Sequence, residues 1–245
     1  MNPTIVTGTA VRVLQQLRGD PRTVVLLLIV PMALLTVVRF VINDDGPVFD
    51  RFGLPLLGIF PLILMFVVTS IAMLRERTSG TLERLLSMPL AKLDLLLGYA
   101  LAFGAIAVVQ AVLLVAVGVG LLGLDIAGPL WAVVVLTVAN GVLGMAMGLF
   151  LSAFATTEFQ AMQFMPAFVI PQLLLCGLVV ARADMAQPLY WVSWVMPMTY
   201  AFNGLDELRT TTTVDGQVIG DLAIVVAISL VALALGAVTL RRRTP

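Results

Sequence analysis

The residues best placed to do chemistry in this 245-residue chain form a single run: Arg75-Glu76-Arg77-Thr78-Ser79-Gly80-Thr81-Leu82-Glu83-Arg84-Leu85-Leu86-Ser87-Met88-Pro89. Acids and bases alternate up to a glycine break. After Gly80, the spacing of Leu82, Leu85 and Leu86 predicts one apolar helical face, with Glu83, Arg84 and Ser87 on the other and Pro89 as the stop. So short a helix is marginal in water and needs a surface to dock on, so the chemistry is recognition rather than catalysis. The plainer alternative is an interfacial loop whose arginines only fix membrane topology. A charge run, a glycine break, an amphipathic turn and a proline together are more than topology requires.

Reactive groups elsewhere are scarce. The chain has no histidine, which excludes imidazole-ligated metal sites and Ser–His or Cys–His nucleophile pairs. Cys176 is the single cysteine, most simply a small buried hydrophobe, so no disulfide framework forms within the chain. A phosphate-binding Gly-x-x-x-x-Gly-Lys-Ser/Thr loop is missing, because the one lysine, Lys92, follows Ala91. If ATP drives this protein, another chain binds it. Fourteen basic residues balance 14 acidic ones, leaving no cationic excess for nucleic acid.

The elements that must position the run are membrane helices. Apolar residues make up 60% of the chain, charged residues 11%, and the mean hydropathy is +1.08. A soluble domain carries about 25% charged residues, so this chain is an all-α integral membrane protein. Six stretches approach the ~20 apolar residues that a helix needs to cross the bilayer: 23–42, 54–74, 95–122, 130–155, 164–181 and 222–240. Arg39 is the only ionisable side chain inside them, near a helix end from which it can snorkel, and Glu158 sits in the turn between the fourth and fifth. Ion-coupled carriers place carboxylates at the bilayer midplane, and these spans supply none.

Basic residues of short loops face the cytoplasm. With the N-terminus inside, Arg12, Arg18, Arg22, Arg75, Arg77, Arg84, Lys92, Arg241, Arg242 and Arg243 all lie inside, against Arg39, Arg51, Arg182 and Arg209 outside. Both termini are therefore expected in the cytoplasm. Residues 1–22 read as an amphipathic helix on the inner membrane face, carrying Val6, Ala10, Val13, Leu14 and Leu17 against Arg12, Gln15, Gln16 and Arg18; a polar leader is the alternative. Segment 182–221 holds Pro188, Trp191, Trp194, Pro197 and Tyr200, too apolar for a free loop and too proline-broken for a span. A short re-entrant or interfacial hairpin on the outer side fits it. Chain 1–245 is thus read as one transmembrane domain: 1–22, the first five spans within 23–181 with the inner loop 75–94, the hairpin 182–221, and the sixth span 222–240.

The run at 76–89 resembles the signature of the ABC-2 type transporter permeases, the membrane subunits of many bacterial ABC exporters. Glu76, Arg77, Gly80, Thr81, Leu82, Glu83, Leu85 and Pro89 carry the likeness, and Gly98 and Gln110 fit the pattern that follows. A second block, Pro188, Trp191, Trp194, Pro197, Thr199, Tyr200, Leu208 and Arg209, is similar to the family's outer hairpin, with Met196 and Met198 as departures that keep it apolar. The resemblance implies that two permease chains pair around a pathway in a bacterial inner membrane. It implies that separate ATPase subunits bind ATP and Mg beneath them, that this chain binds no cofactor, and that 76–86 is the coupling helix.

The expected cargo is a hydrophobic or amphipathic compound (a drug, an antibiotic or a lipid-like molecule). The candidate lining is Phe60, Phe66, Thr69, Met162, Gln163, Met165, Phe168 and Gln172. Each of these could equally face lipid or pack between helices. Prolines 31, 61, 166 and 171 kink spans, which either marks a pathway or accommodates packing. Gly118, Gly120, Gly141, Gly144 and Gly148 permit close helix approach, at a dimer seam or internally. Export of a glycan and a non-transporting scaffold are the competing functions. Few aromatics are available for sugar stacking, and a scaffold has no need of the inner run.

Overall fold

The computed structural model describes residues 3–42, 46–81 and 91–239. These residues form nine α-helices and two single 3-10 turns, with no strand among them. Asp20 separates the first two helices, α1 (Pro3–Gly19) and α2 (Pro21–Val41). Its carboxylate accepts from the Thr23 backbone N–H at 3.3 Å and from the Thr23 hydroxyl at 2.6 Å. Pro21, with no N–H to lose, occupies the first turn of α2.

Helix α3 (Pro47–Thr78) runs for 32 residues, through Pro55 and Pro61. At 1.5 Å per residue that is roughly 48 Å, against a hydrocarbon core of about 30 Å. The expected span 54–74 therefore lengthens at both ends, and its last turns carry Arg75, Glu76 and Arg77 beyond the apolar layer. Helices α4 (Lys92–Gly120), α5 (Leu130–Leu151) and α6 (Glu158–Leu175) follow; then come α7 (Gln187–Ser193), α8 (Pro197–Thr210) and α9 (Gly216–Thr239).

Among the described residues, α2, α3, α4, α5 with its 3-10 extension, and α9 are long and apolar enough to cross a membrane. The expected fifth span, 164–181, is displaced: α6 begins at Glu158 and ends at Leu175. Thr157 caps it by accepting from the Gln160 N–H at 3.1 Å, and the chain turns away at Gly177, where φ is +107°. Capping chemistry sets that start, so Glu158, Gln160 and Gln163 enter a helix that hydropathy places further on. Segment 182–221 is largely helical, as α7 and α8.

The most extensive helix contact joins α3 to α5. Gly144 and Gly148 make it possible: a methyl on either would strike the Leu62 or Phe66 backbone carbonyl. These glycines thus serve internal packing. Gly98 does the same for α1, because a Cβ there would meet Thr9 and the Val6 carbonyl. The buried Gln110 amide donates to the Leu27 carbonyl at 2.8 Å and ties α4 to α2, a bond of high value where no water can replace it. Cys176 is fully buried, within a cluster that includes Ile59, Leu143, Val169 and Met198.

Candidate functional site

Three successive residues at the end of α3 reach three different parts of the bundle. Arg75 grips Glu158, at the start of α6, through Nε at 2.7 Å and Nη2 at 3.2 Å. Glu76 turns inward and is 7% exposed. It accepts from Arg12 of α1 at 3.2 Å and from Gln16 at 3.3 Å. Arg12 in turn donates to the Tyr99 hydroxyl of α4 at 2.9 Å. Arg77 donates to the carbonyls of Ser152 and Ala155, where α5 ends and its dipole is negative. Side chains one residue apart on a helix point about 100° apart, which is how adjacent positions hold separate neighbours.

These ties set local charge states. The Arg75 guanidinium holds the Glu158 carboxyl below the usual carboxylate range. The two bonds from Thr23 do the same for Asp20, with a smaller contribution from the Arg75 charge.

Beyond Thr78 the chain breaks where the sequence expects it to. Ser79 caps α3 by donating its N–H to the Arg75 carbonyl at 2.9 Å, and Gly80 adopts φ +73°, a conformation open to glycine. Thr81 follows, its hydroxyl 3.0 Å from that of Ser79. Leu82, Glu83 and Leu85 of the expected coupling segment lie outside the described residues. Glu76 and Arg77, expected in that same segment, belong to α3 and make internal contacts.

Six of the eight candidate lining residues pack within the bundle and two are exposed. Phe66 is fully buried and stacks on Phe168 across α3 and α6, with ring centroids 6.3 Å apart. Thr69 is buried at the α3–α5 contact and donates to the Met65 carbonyl at 2.6 Å. Phe60 packs against the cluster around Leu57 and Leu136, and Met165 and Phe168 pack against the one around Val169. Gln172 is buried; its amide oxygen accepts from the Met198 N–H at 3.2 Å and holds the start of α8. Met162 and Gln163 are exposed on α6.

The residues of segment 182–200 pack against one another. Pro188 lies in the first turn of α7, and Pro197 starts α8. The Tyr200 hydroxyl donates to the Trp194 carbonyl at 2.6 Å, and the Thr199 hydroxyl to the Ser193 carbonyl at 2.7 Å. Arg182 lies 4.2 Å over the Trp194 ring and donates to the Ser193 hydroxyl at 3.0 Å. Trp191 is 65% exposed, as an anchor at a headgroup layer would be. Sequence reasoning missed Arg12, Gln16 and Tyr99 as partners of Glu76, and a cleft of 690 Å³ that Gln16, Glu76 and Tyr99 border. The one signal for them is Gly98, whose lack of a side chain marks the place where α1 approaches α4.

Comparison with known proteins agrees with this architecture. A 145-residue segment, 59% of the chain, is 30% identical to the Escherichia coli K12 protein named "Probable multidrug ABC transporter permease YbhR", and covers 39% of that protein. A 141-residue segment is 24% identical to ABC transporter G family member 20 of Dictyostelium discoideum; it spans 58% of this chain and 19% of that relative. The matched region thus spans well under half of either relative's length. Residues 9–209, from inside α1 to near the end of α8, match the ABC-2 type transporter family. With five helices long and apolar enough to span a bilayer among the described residues, the chain is a multi-pass membrane protein that belongs to the ABC-2 type transporter family, the membrane part of such transporters and not their ATPase.

Proposed function

We propose that this chain is the permease subunit of an ATP-driven exporter of hydrophobic or amphipathic compounds, with a drug, an antibiotic or a lipid-like molecule as cargo. Two permease chains pair in a bacterial inner membrane, and separate ATPase subunits bind ATP and Mg on the cytoplasmic side. In this reading α6 supplies the fifth span, with Glu158 at its cytoplasmic end; its 18 residues reach roughly 27 Å. Both termini are cytoplasmic, α1 lies at the inner surface, and α7 with α8 forms the outer hairpin.

The observation that carries the reading is the triple tie at the end of α3. The segment after Gly80, up to residue 86, docks on the ATPase, and Arg75, Glu76 and Arg77 join that segment's root to α1, α4, α5 and α6. A displacement of the docked segment then reaches the bundle as a rigid-body shift, because packed contacts move as units. ATP closure biases the permease pair between inward- and outward-facing states to the extent that it binds one of them better.

A gentle-detergent pull-down from the native host, with partners identified by mass and nucleotide present, tests this directly. An ATPase recovered in equal copy number supports the reading, and its absence refutes it. Gly80→Pro sharpens the test, since proline cannot adopt φ +73°. Insertion and ATPase recovery should persist while ATP-dependent transport falls about tenfold or more, within the range of ordinary coupling energies. Wild-type transport in this variant would remove 76–86 from the mechanism.

A further inference from the structure

The 690 Å³ cleft between α1, α2, α3 and α4 is bordered by Arg75 and Glu76, but its interior is not used in the reading above. Its wall is graded. At the end beside α1 stand Gln16, Asp20, Arg75 and Ser79; deeper lie Leu27, Val30, Leu64 and Val68. From Asp20 to Val30 is roughly 15 Å along the α2 axis, so polarity gives way to hydrocarbon over about the depth of half a bilayer. The gap opens sideways: Leu26 on its rim is 60% exposed. The candidate lining residues Phe66, Thr69 and Phe168 do not border it.

The mouth carries both signs of charge at separate points. Asp20 keeps its carboxylate ionised through the Thr23 bonds, and the Arg75 charge acts on it without an ion-pair contact between them. Arg75 binds Glu158 through Nε and Nη2. Glu76 is satisfied by Arg12 and Gln16. A head bearing an ammonium and a phosphate matches the opposite charges of Asp20 and Arg75, whereas a purely anionic head would meet the Asp20 carboxylate without a counter-charge of its own.

We propose that this cleft holds one zwitterionic phospholipid of the bilayer leaflet beside α1, with its ammonium at Asp20, its phosphate at Arg75 and an acyl chain between α2 and α3. The site requires only that the bundle sits in a bilayer, not that it exports anything.

The test uses the full chain in nanodiscs of mixed phosphatidylethanolamine and phosphatidylglycerol. A trace of one or the other lipid carries a diazirine on its acyl chain, and crosslinked peptides are mapped by mass. The ethanolamine probe should label 27–30 and 64–68 about five-fold more than the glycerol probe does, an affinity difference of about 1 kcal/mol. Both probes should label the exposed Leu230 and Val231 of α9 alike. Val68→Trp fills the cleft and should abolish the excess at 27–30 and 64–68 with α9 labelling unchanged; if that variant does not fold, Leu26→Trp on the exposed rim does the same. Asp20→Asn preserves the helix cap and should bring the two probes to parity. Equal labelling by both probes in the wild type, stronger labelling by the glycerol probe, or an excess that survives filling of the cleft would each overturn the site.

Discussion

The two ends of the bundle are fastened by different chemistry. Beside α1 two of the ties are ion pairs, Arg12 to Glu76 and Arg75 to Glu158, and a third sets the Arg77 charge on the carbonyls at the end of α5. At the other end they are aromatic and backbone-directed: Arg182 over Trp194, Tyr200 on the Trp194 carbonyl, and Gln172 on the Met198 N–H. Ion pairs are longer-ranged and salt-sensitive, and can exchange partners, whereas stacked rings and capped backbone hold one geometry. The end proposed to receive ATPase motion is thus built from exchangeable contacts, and the opposite end from fixed ones.

Both ends hang on the α3–α5 seam, so the sharpest break lies there. Gly148→Leu should destabilise the bundle by about 3 kcal/mol or more, because the new side chain meets backbone that cannot move aside. Thermal unfolding in detergent should show it, and an unchanged melting temperature would mean the seam does not carry both ends. Next comes Glu76→Ala, which leaves Arg12 and Gln16 facing a largely buried gap. It should cost about 2–3 kcal/mol, and Glu76→Gln, which keeps an acceptor, appreciably less.

Arg182→Ala removes a stacked cation and one hydrogen bond, for about 1 kcal/mol. That loss should vary less between low and high salt than the loss from Glu76→Ala; equal salt dependence would erase the contrast between the ends. The smallest effect belongs to Arg75 and Glu158, whose side chains are 63% and 47% exposed. Solvent screening limits the pair to about 0.5 kcal/mol. Because folding lowers the Glu158 pKa, its contribution is complete above the ordinary carboxylate range and is lost as pH falls through the lowered value. Arg75→Ala should remove that acid-side loss and leave stability at neutral pH almost unchanged.

Much of this fold is legible in the sequence, for a physical reason. Hydrocarbon demands long apolar helices, so α2, α3, α4, α5 and α9 fall near the expected ranges, and Pro188 and Pro197 mark the starts of α7 and α8. The start of α6 is not legible from hydropathy, because a threonine cap sets it. The site is less legible than the fold. Residue type nominates Phe66 and Thr69 for a pathway, but the direction a side chain faces depends on the neighbouring helix, and both face packed seams. Arg12, Glu76 and Tyr99 are separated by 64 and 87 positions from Arg12 onward, and no local pattern connects them.

The bare backbone of Gly98 has a consequence for how the protein is made. The seat it offers to Thr9 and Val6 belongs to α4, which leaves the ribosome long after α1 has been synthesised. Helix α1 can take that seat only once α4 has been made, so its docking follows the synthesis of α2 and α3.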